Sequence, residues 1–247
     1  MRSLESPDLH FEGFTEEAFG ILDRLKAEPH IEQYRQEKPA VKRHLTEPFK
    51  RYRDDLVVHW VIPDGLAFET EKNVFSRLLK NDFGAGGCHH NIWMSFYRPG
   101  RRRLKDAQLS HSISPDGFSL GFYVGDYATD CIERVRTSIL EAPETTLDLV
   151  NPLLAEDYSL YVYSGKGKAA KRATTAEPVD HLLEGTEKLN ALWLRRIVPR
   201  EGVLRLGPEL VFECVRTMRQ LWPFYTFALK DDVRAETPFP FMNDLPE

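Results

Sequence analysis

Between residues 91 and 124, three successive stretches show the period of two that a half-buried strand requires. In the first, Ile92, Met94 and Phe96 point one way while Trp93, Ser95 and Tyr97 point the other. The second sets Leu109, His111 and Ile113 against Gln108, Ser110 and Ser112, and the third places Phe118, Leu120, Phe122 and Val124 on its buried side. Ser114-Pro115-Asp116-Gly117 joins the last two strands: proline's fixed φ suits the second position of a type I turn, and glycine accepts a positive φ. The segment is therefore expected to form an antiparallel hairpin at the centre of a sheet.

Helical patterns flank it. Phe14-Thr15-Glu16-Glu17 opens a first helix, with Thr15 as N-cap, acids at the positive dipole end, and Phe14 and Phe19 at staple spacing. Phe19, Leu22 and Leu25 carry its stripe until Pro29. Tyr34, Val41, Leu45, Phe49 and Tyr52 continue a helical period that Pro39 and Pro48 must start, kink or split. Residues 56–62 are apolar and β-branched before Pro63-Asp64-Gly65, which predicts a strand and a turn. Residues 128–142 form an amphipathic helix pattern and 158–163 a strand, and residues 165–172 make a basic, glycine-containing loop. Residues 181–197 and 209–229 are expected as helices, the second started by Gly207-Pro208 and bent at Pro223. The expected architecture is α+β: a central antiparallel sheet of four or five strands with N- and C-terminal helices over one face.

A chain of 247 residues with 42% hydrophobic content can bury one sizeable core, so residues 1–230 are expected as a single domain and the acidic, proline-containing residues 231–247 as a tail or linker. A net charge of -5 exerts no global pull toward nucleic acid or an anionic membrane. No apolar run approaches the ~20 residues of a transmembrane helix, and the first residues lack the apolar stretch of a signal peptide. Cys88, Cys131 and Cys214 are odd in number and widely spaced, which fits reduced thiols and a cytoplasmic location.

The candidate chemistry centres on a basic loop. Arg98, Arg101, Arg102, Arg103 and Lys105 surround Pro99-Gly100 between two strands, and guanidinium forks match phosphate or carboxylate. The alternative is a solvated loop whose charges resist edge pairing. Trp93, Tyr97 and Tyr123 lie opposite the most apolar side chains, where aromatics beside arginines can stack bases, unless helices cover that face too. Cys88-His89-His90, even with His111, follows no zinc spacing, so no metal is expected. Gly165-Lys166-Gly167-Lys168 lacks the full phosphate-loop spacing, and no nucleophile elbow, kinase set or dinucleotide fingerprint is present, so no cofactor is expected. Asp106, Asp116, Asp126 and Glu133 are not paired by spacing into an acid–base site.

Phe14 followed by Phe19, Leu22, Leu25 and Lys26, then Tyr34, Lys38, Val41, Leu45 and Pro48, resembles the bacterial domain-of-unknown-function family numbered 2461, and more distantly the YktB-like proteins. The middle is similar in Trp93-x-x-Phe96, Arg103-x-Lys105, Gln108-Leu109 and Asp116-Gly117-Phe118, and the end in Leu192-x-x-Arg195-Arg196 and Leu221-Trp222-Pro223-Phe224. The likeness covers most of the chain but departs at residues 71–87, where those families often carry a longer stretch rich in arginine, serine and lysine. It implies an α+β fold and supplies no catalytic residues. The functional expectation is a non-catalytic binding or interaction domain, recognising nucleic acid, another phosphorylated ligand or a protein partner. The alternatives are a hydrolase with a histidine–carboxylate site and the sensor portion of a larger machine.

Overall fold

In the computed structural model, which describes residues 9–80, 85–165 and 170–229, the hairpin stands where its pattern placed it. Strands β1 (Ile92–Phe96), β2 (Gln108–Ser114) and β3 (Gly117–Val124) pair antiparallel, with Ser114 opposite Gly117 across Pro115-Asp116. Gly117 has a φ of +143°, and a Cβ there would lie 2.2 Å from the Val198 carbonyl oxygen. Glycine is thus required twice, by the backbone angle and by the close approach of the next strand.

The sheet is larger than expected. Strands β4 (Tyr158–Ser164), β5 (Lys171–Thr175) and β6 (Leu189–Pro199) extend it to six, in the order β1-β2-β3-β6-β4-β5, with every pair antiparallel. β6 replaces the helix expected over residues 181–197: it lies between β3 and β4, and Leu192, Leu194 and Val198 alternate toward the core while Trp193, Arg195 and Ile197 point away. Residues 69–79 run beside the outer edge of β1, through bridges at Glu69–Tyr97, Phe75–Met94 and Leu79–Cys88, so that edge is covered.

The helices are α1 (Glu16–Ala27), α2 (Ile31–Val41), α3 (Glu47–Leu56), α4 (Thr129–Glu141), α5 (Pro143–Leu154), α6 (Arg200–Leu206) and α7 (Leu210–Phe227). Thr15 is the N-cap of α1, although its hydroxyl makes no capping bond, and Phe14 and Phe19 are both buried. A π turn, Lys42–Thr46, separates α2 with its internal Pro39 from α3 with Pro48 in its first turn. The strand expected over residues 56–62 is instead helical, a second π turn over Val57–Val61. Tyr52, Leu56 and Trp60 recur every four residues and are fully buried, whereas Val58 and Ile62 are exposed, so packing follows the helical period and overrides β-branched propensity. α5 begins at Pro143, where α4 was expected to stop, and a 3-10 turn, Gly207–Glu209, leads into α7, which runs through Pro223.

Helices pack on one face of the sheet: α7 on β2 and β3, α4 on β6, α5 on β4. Rings of Phe14, Phe49 and Tyr52 surround Phe118 with centroids 5.7, 5.8 and 5.2 Å away, and Trp60 and Phe68 flank Phe96. One continuous apolar cluster runs from Phe11 to Ala228. Buried Asp55 accepts hydrogen bonds from the backbone N–H groups of His10 and Phe11 at 3.1 and 2.8 Å, tying the segment before α1 to this cluster. No described helix is long and apolar enough to cross a membrane. Residues 231–247, expected as a tail, lie outside the described residues.

Replacing Gly117 with valine is expected to cost about 1–3 kcal/mol, because a β-branched residue must hold a positive φ against a backbone oxygen. A urea denaturation midpoint equal to that of the unsubstituted protein would show that the turn tolerates a side chain.

Candidate functional site

The opposite face carries no α-helix among the described residues, and it is built from the other half of each strand's alternation. The register sets Gln108, Tyr123, Trp193 and Tyr161 side by side across β2, β3, β6 and β4. The neighbouring row is small, with Ser95 opposite Ser110 and Ser110 opposite Gly121. Large rings beside small residues leave a trough. Its cavity of about 760 Å³ has Ser110 and Ser112 as floor, Trp93 and Leu104 on one side, Tyr123, Tyr163 and Trp193 on the other, and Asn91, Asn190 and Asp126 among the polar lining.

Two glycines make room for these rings. A Cβ at Gly121 would come within 2.9 Å of the Trp193 indole nitrogen, and one at Gly125 within 2.5 Å of the Tyr123 hydroxyl. Each tryptophan is also backed by a cation. The Arg103 guanidinium lies 4.1 Å from the Trp93 ring centroid and donates from Nη1 to the Val74 carbonyl at 2.7 Å. That of Arg195 lies 4.1 Å from the Trp193 ring and 4.7 Å from that of Tyr161, whose hydroxyl accepts from its Nη2 at 2.9 Å. Burial lowers the Arg103 guanidinium below its ordinary value. It raises the Tyr123 phenol, to which Asp126 and then Tyr163 add.

The basic loop does not act as one patch. Arg98 turns inward, where its backbone N–H and its guanidinium both donate to the buried Asp106 carboxylate, with Nε to Oδ1 at 3.0 Å. Cys131 donates to the same oxygen from Sγ at 3.4 Å. Arg103 is taken by Trp93, which leaves Arg101, Arg102 and Lys105 exposed beside Leu104. Of the three aromatics expected on this face, Trp93 and Tyr123 line the cavity, whereas Tyr97 is buried and donates its hydroxyl to the Lys72 carbonyl at 2.6 Å. Trp193, Tyr163 and Asp126 were missed. The alternation of Leu192, Leu194 and Val198 was the signal that would have found Trp193.

His111 lies across the sheet, in the core. Its Nδ1 contacts the Tyr52 hydroxyl at 3.1 Å and Cys214 Sγ at 3.4 Å, and burial holds the ring's pKa down at about 3, so it is neutral. His89 and His90 are exposed while Cys88 is buried, and among the described residues no three His, Cys, Asp or Glu side chains group to hold a metal ion. Lys166, Gly167 and Lys168 lie outside the described residues. No family model matches the chain, and a search of curated proteins gives no match.

Removing the Arg98 side chain (Arg98→Ala) is expected to cost about 3 kcal/mol, because Asp106 would be left buried without its partner. Arg101→Ala and Arg102→Ala are each expected to stay within about 0.5 kcal/mol of the unsubstituted protein. Equal stability losses at all three positions, read by thermal denaturation, would contradict this division of the loop.

Proposed function

We propose that the chain is a binding domain that takes a nucleotide unit, free or within a single strand, with its base in the cavity on the face opposite the α-helices. The observation that carries this reading is the pair of tryptophans, Trp93 and Trp193, each backed by a guanidinium 4.1 Å from its ring. Aromatic walls alone would equally suit an ammonium ligand. A cation on the open side of either ring, however, would sit roughly 7–8 Å from the guanidinium behind it, and at an effective dielectric of about 20 that repulsion costs about 2 kcal/mol. A cation–π contact returns only ~0.5–2 kcal/mol. The arginines therefore favour a neutral flat ring or an anion, and stacking a base contributes about 1–3 kcal/mol.

Size and charge agree with this. A cavity of about 760 Å³ lies in the range of ~300–1,000 Å³ that encloses a small organic ligand. Exposed Arg101, Arg102 and Lys105 beside the Leu104 wall supply attraction for phosphate without reading sequence. The hydrolase alternative draws less support: among the described residues the lining holds one carboxylate, Asp126, and no histidine, and His111 faces the core. Three buried free cysteines and a nucleotide ligand fit a cytoplasmic setting.

Titration of the full chain with mononucleotides and single-stranded oligonucleotides tests the reading. Trp93→Ala and Trp193→Ala are each expected to weaken binding about tenfold or more. Replacing Arg101, Arg102 and Lys105 together with glutamine is expected to flatten the fall of affinity with salt while leaving the melting temperature unchanged. Absence of binding to every nucleotide and strand, or tryptophan variants that bind as the unsubstituted protein does, would overturn it in favour of a protein partner.

A further inference from the structure

We infer that Gln108, held by Ser95, makes this cavity select bases that carry a carbonyl at the position farthest from the sugar, so that guanine, hypoxanthine and uracil are taken over adenine and cytosine. The inference rests on the reading of the cavity as a nucleotide site and adds what its floor recognises.

Gln108 is 2% exposed, yet it lines the cavity, on the open face across from Tyr123. A glutamine amide carries one acceptor oxygen and two N–H donors. The oxygen is spent within the protein: Oε1 accepts from the hydroxyl of Ser95, a fully buried residue of the neighbouring β1, at 3.0 Å. The amide nitrogen makes no hydrogen bond with any described residue and is not sealed off by protein atoms. Its N–H groups are therefore left to whatever fills the cavity, and a donor enclosed without an acceptor is costly. Ser95 fixes this orientation. Turning the amide over would strand the Ser95 hydroxyl proton, whose acceptor among the described residues is Oε1. Ser110, two residues along the same face, does the opposite of Gln108: its hydroxyl donates to the Gly121 carbonyl at 3.0 Å, so it turns lone pairs toward the cavity.

The way a nucleotide enters decides which of its atoms meets the Gln108 donors. Sugar and phosphate are fixed to one side of the base and stay at the mouth, in water, so the opposite side of the ring reaches the floor. That side carries O6 in guanine and hypoxanthine and O4 in uracil, but an amino group in adenine and in cytosine. A carbonyl there accepts from Gln108. An amino group sets donor against donor between aromatic walls that keep water from relieving the conflict, and a site built to hydrogen-bond one group rejects a ligand that leaves its polar atoms unpaired.

Calorimetric titration of the full chain with two matched pairs is the test: inosine against adenosine monophosphate, and uridine against cytidine monophosphate. Within each pair the ligands differ by exchange of an oxo for an amino group. The oxo member is expected to bind about tenfold or more tightly in both pairs. Gln108→Met keeps the length of the side chain without its donors, and is expected to bring both ratios to about one. Ser95→Ala frees the amide to turn its oxygen to the ligand, and is expected to move both ratios toward one by tightening the amino members. This second variant removes a single oxygen and carries the test if Gln108→Met unfolds. A purely structural role for either residue would weaken both members of a pair alike and leave the ratio unmoved. Pairs bound within about twofold by the unsubstituted protein, a preference for the amino members, or ratios that the variants leave unchanged would overturn the selectivity and leave the nucleotide reading standing. Binding of none of the four would remove both.

Discussion

Everything on either face of this sheet depends on the pairing register of β2 and β3. Pro115-Asp116 spans the turn, Ser114 faces Gly117, and from that point each residue's side is decided. A slip of one residue would send Phe118, Leu120 and Phe122 into the cavity and drive Ser119, Gly121 and Tyr123 into the helices. The core and the candidate site are thus two halves of one alternation. β6 inherits the same register from β3, which brings Trp193 beside Tyr123 and Arg195 beside Gly121.

Burial then sorts the charges that the sequence brings together. Five cations lie between residues 98 and 105, yet they meet three environments. Arg98 is held by a carboxylate with no exposure to water, Arg103 by an indole face and a backbone carbonyl, and Arg101, Arg102 and Lys105 by solvent. The first is structural, the second shapes the electrostatics of an aromatic wall, and the last group is free to meet an anion. The same sorting applies to histidine: the core position between Leu109 and Ile113 keeps His111 neutral and away from the open face.

Much of the fold was legible because local pattern and tertiary packing agree. The β2–β3 hairpin, the first helix, the helix before Pro143 and the C-terminal helix all follow their own periodicity. The failures share a cause. In residues 189–196 Leu189, Leu192 and Arg196 recur at intervals of three and four, which imitates a helical stripe, and only strands on both sides reveal β6. Residues 56–62 erred in the opposite direction, since β-branched composition hid the four-residue spacing of Tyr52, Leu56 and Trp60. The site suffered accordingly. Alternation puts Trp93, Tyr97 and Tyr123 on one face, but it could not show that Tyr97 is buried there, because its partner at Lys72 is distant in sequence, and Trp193 was lost with its strand. Asp126 looked like any loop acid until the fold set it in the cavity lining.

The central claim is that the face opposite the α-helices, and not the helical core, is where this protein meets its ligand. Its four tryptophans report on the two sides separately. Trp93 and Trp193 line the cavity, Trp60 is buried in the core, and Trp222 packs against Phe68 and Tyr225. The most direct measurement is the set of indole N–H resonances during titration with mononucleotides of each base. The account predicts saturable shifts at Trp93 and Trp193 with Trp60 and Trp222 unmoved. Shifts confined to Trp60 and Trp222, or no shift at any of the four, would contradict it.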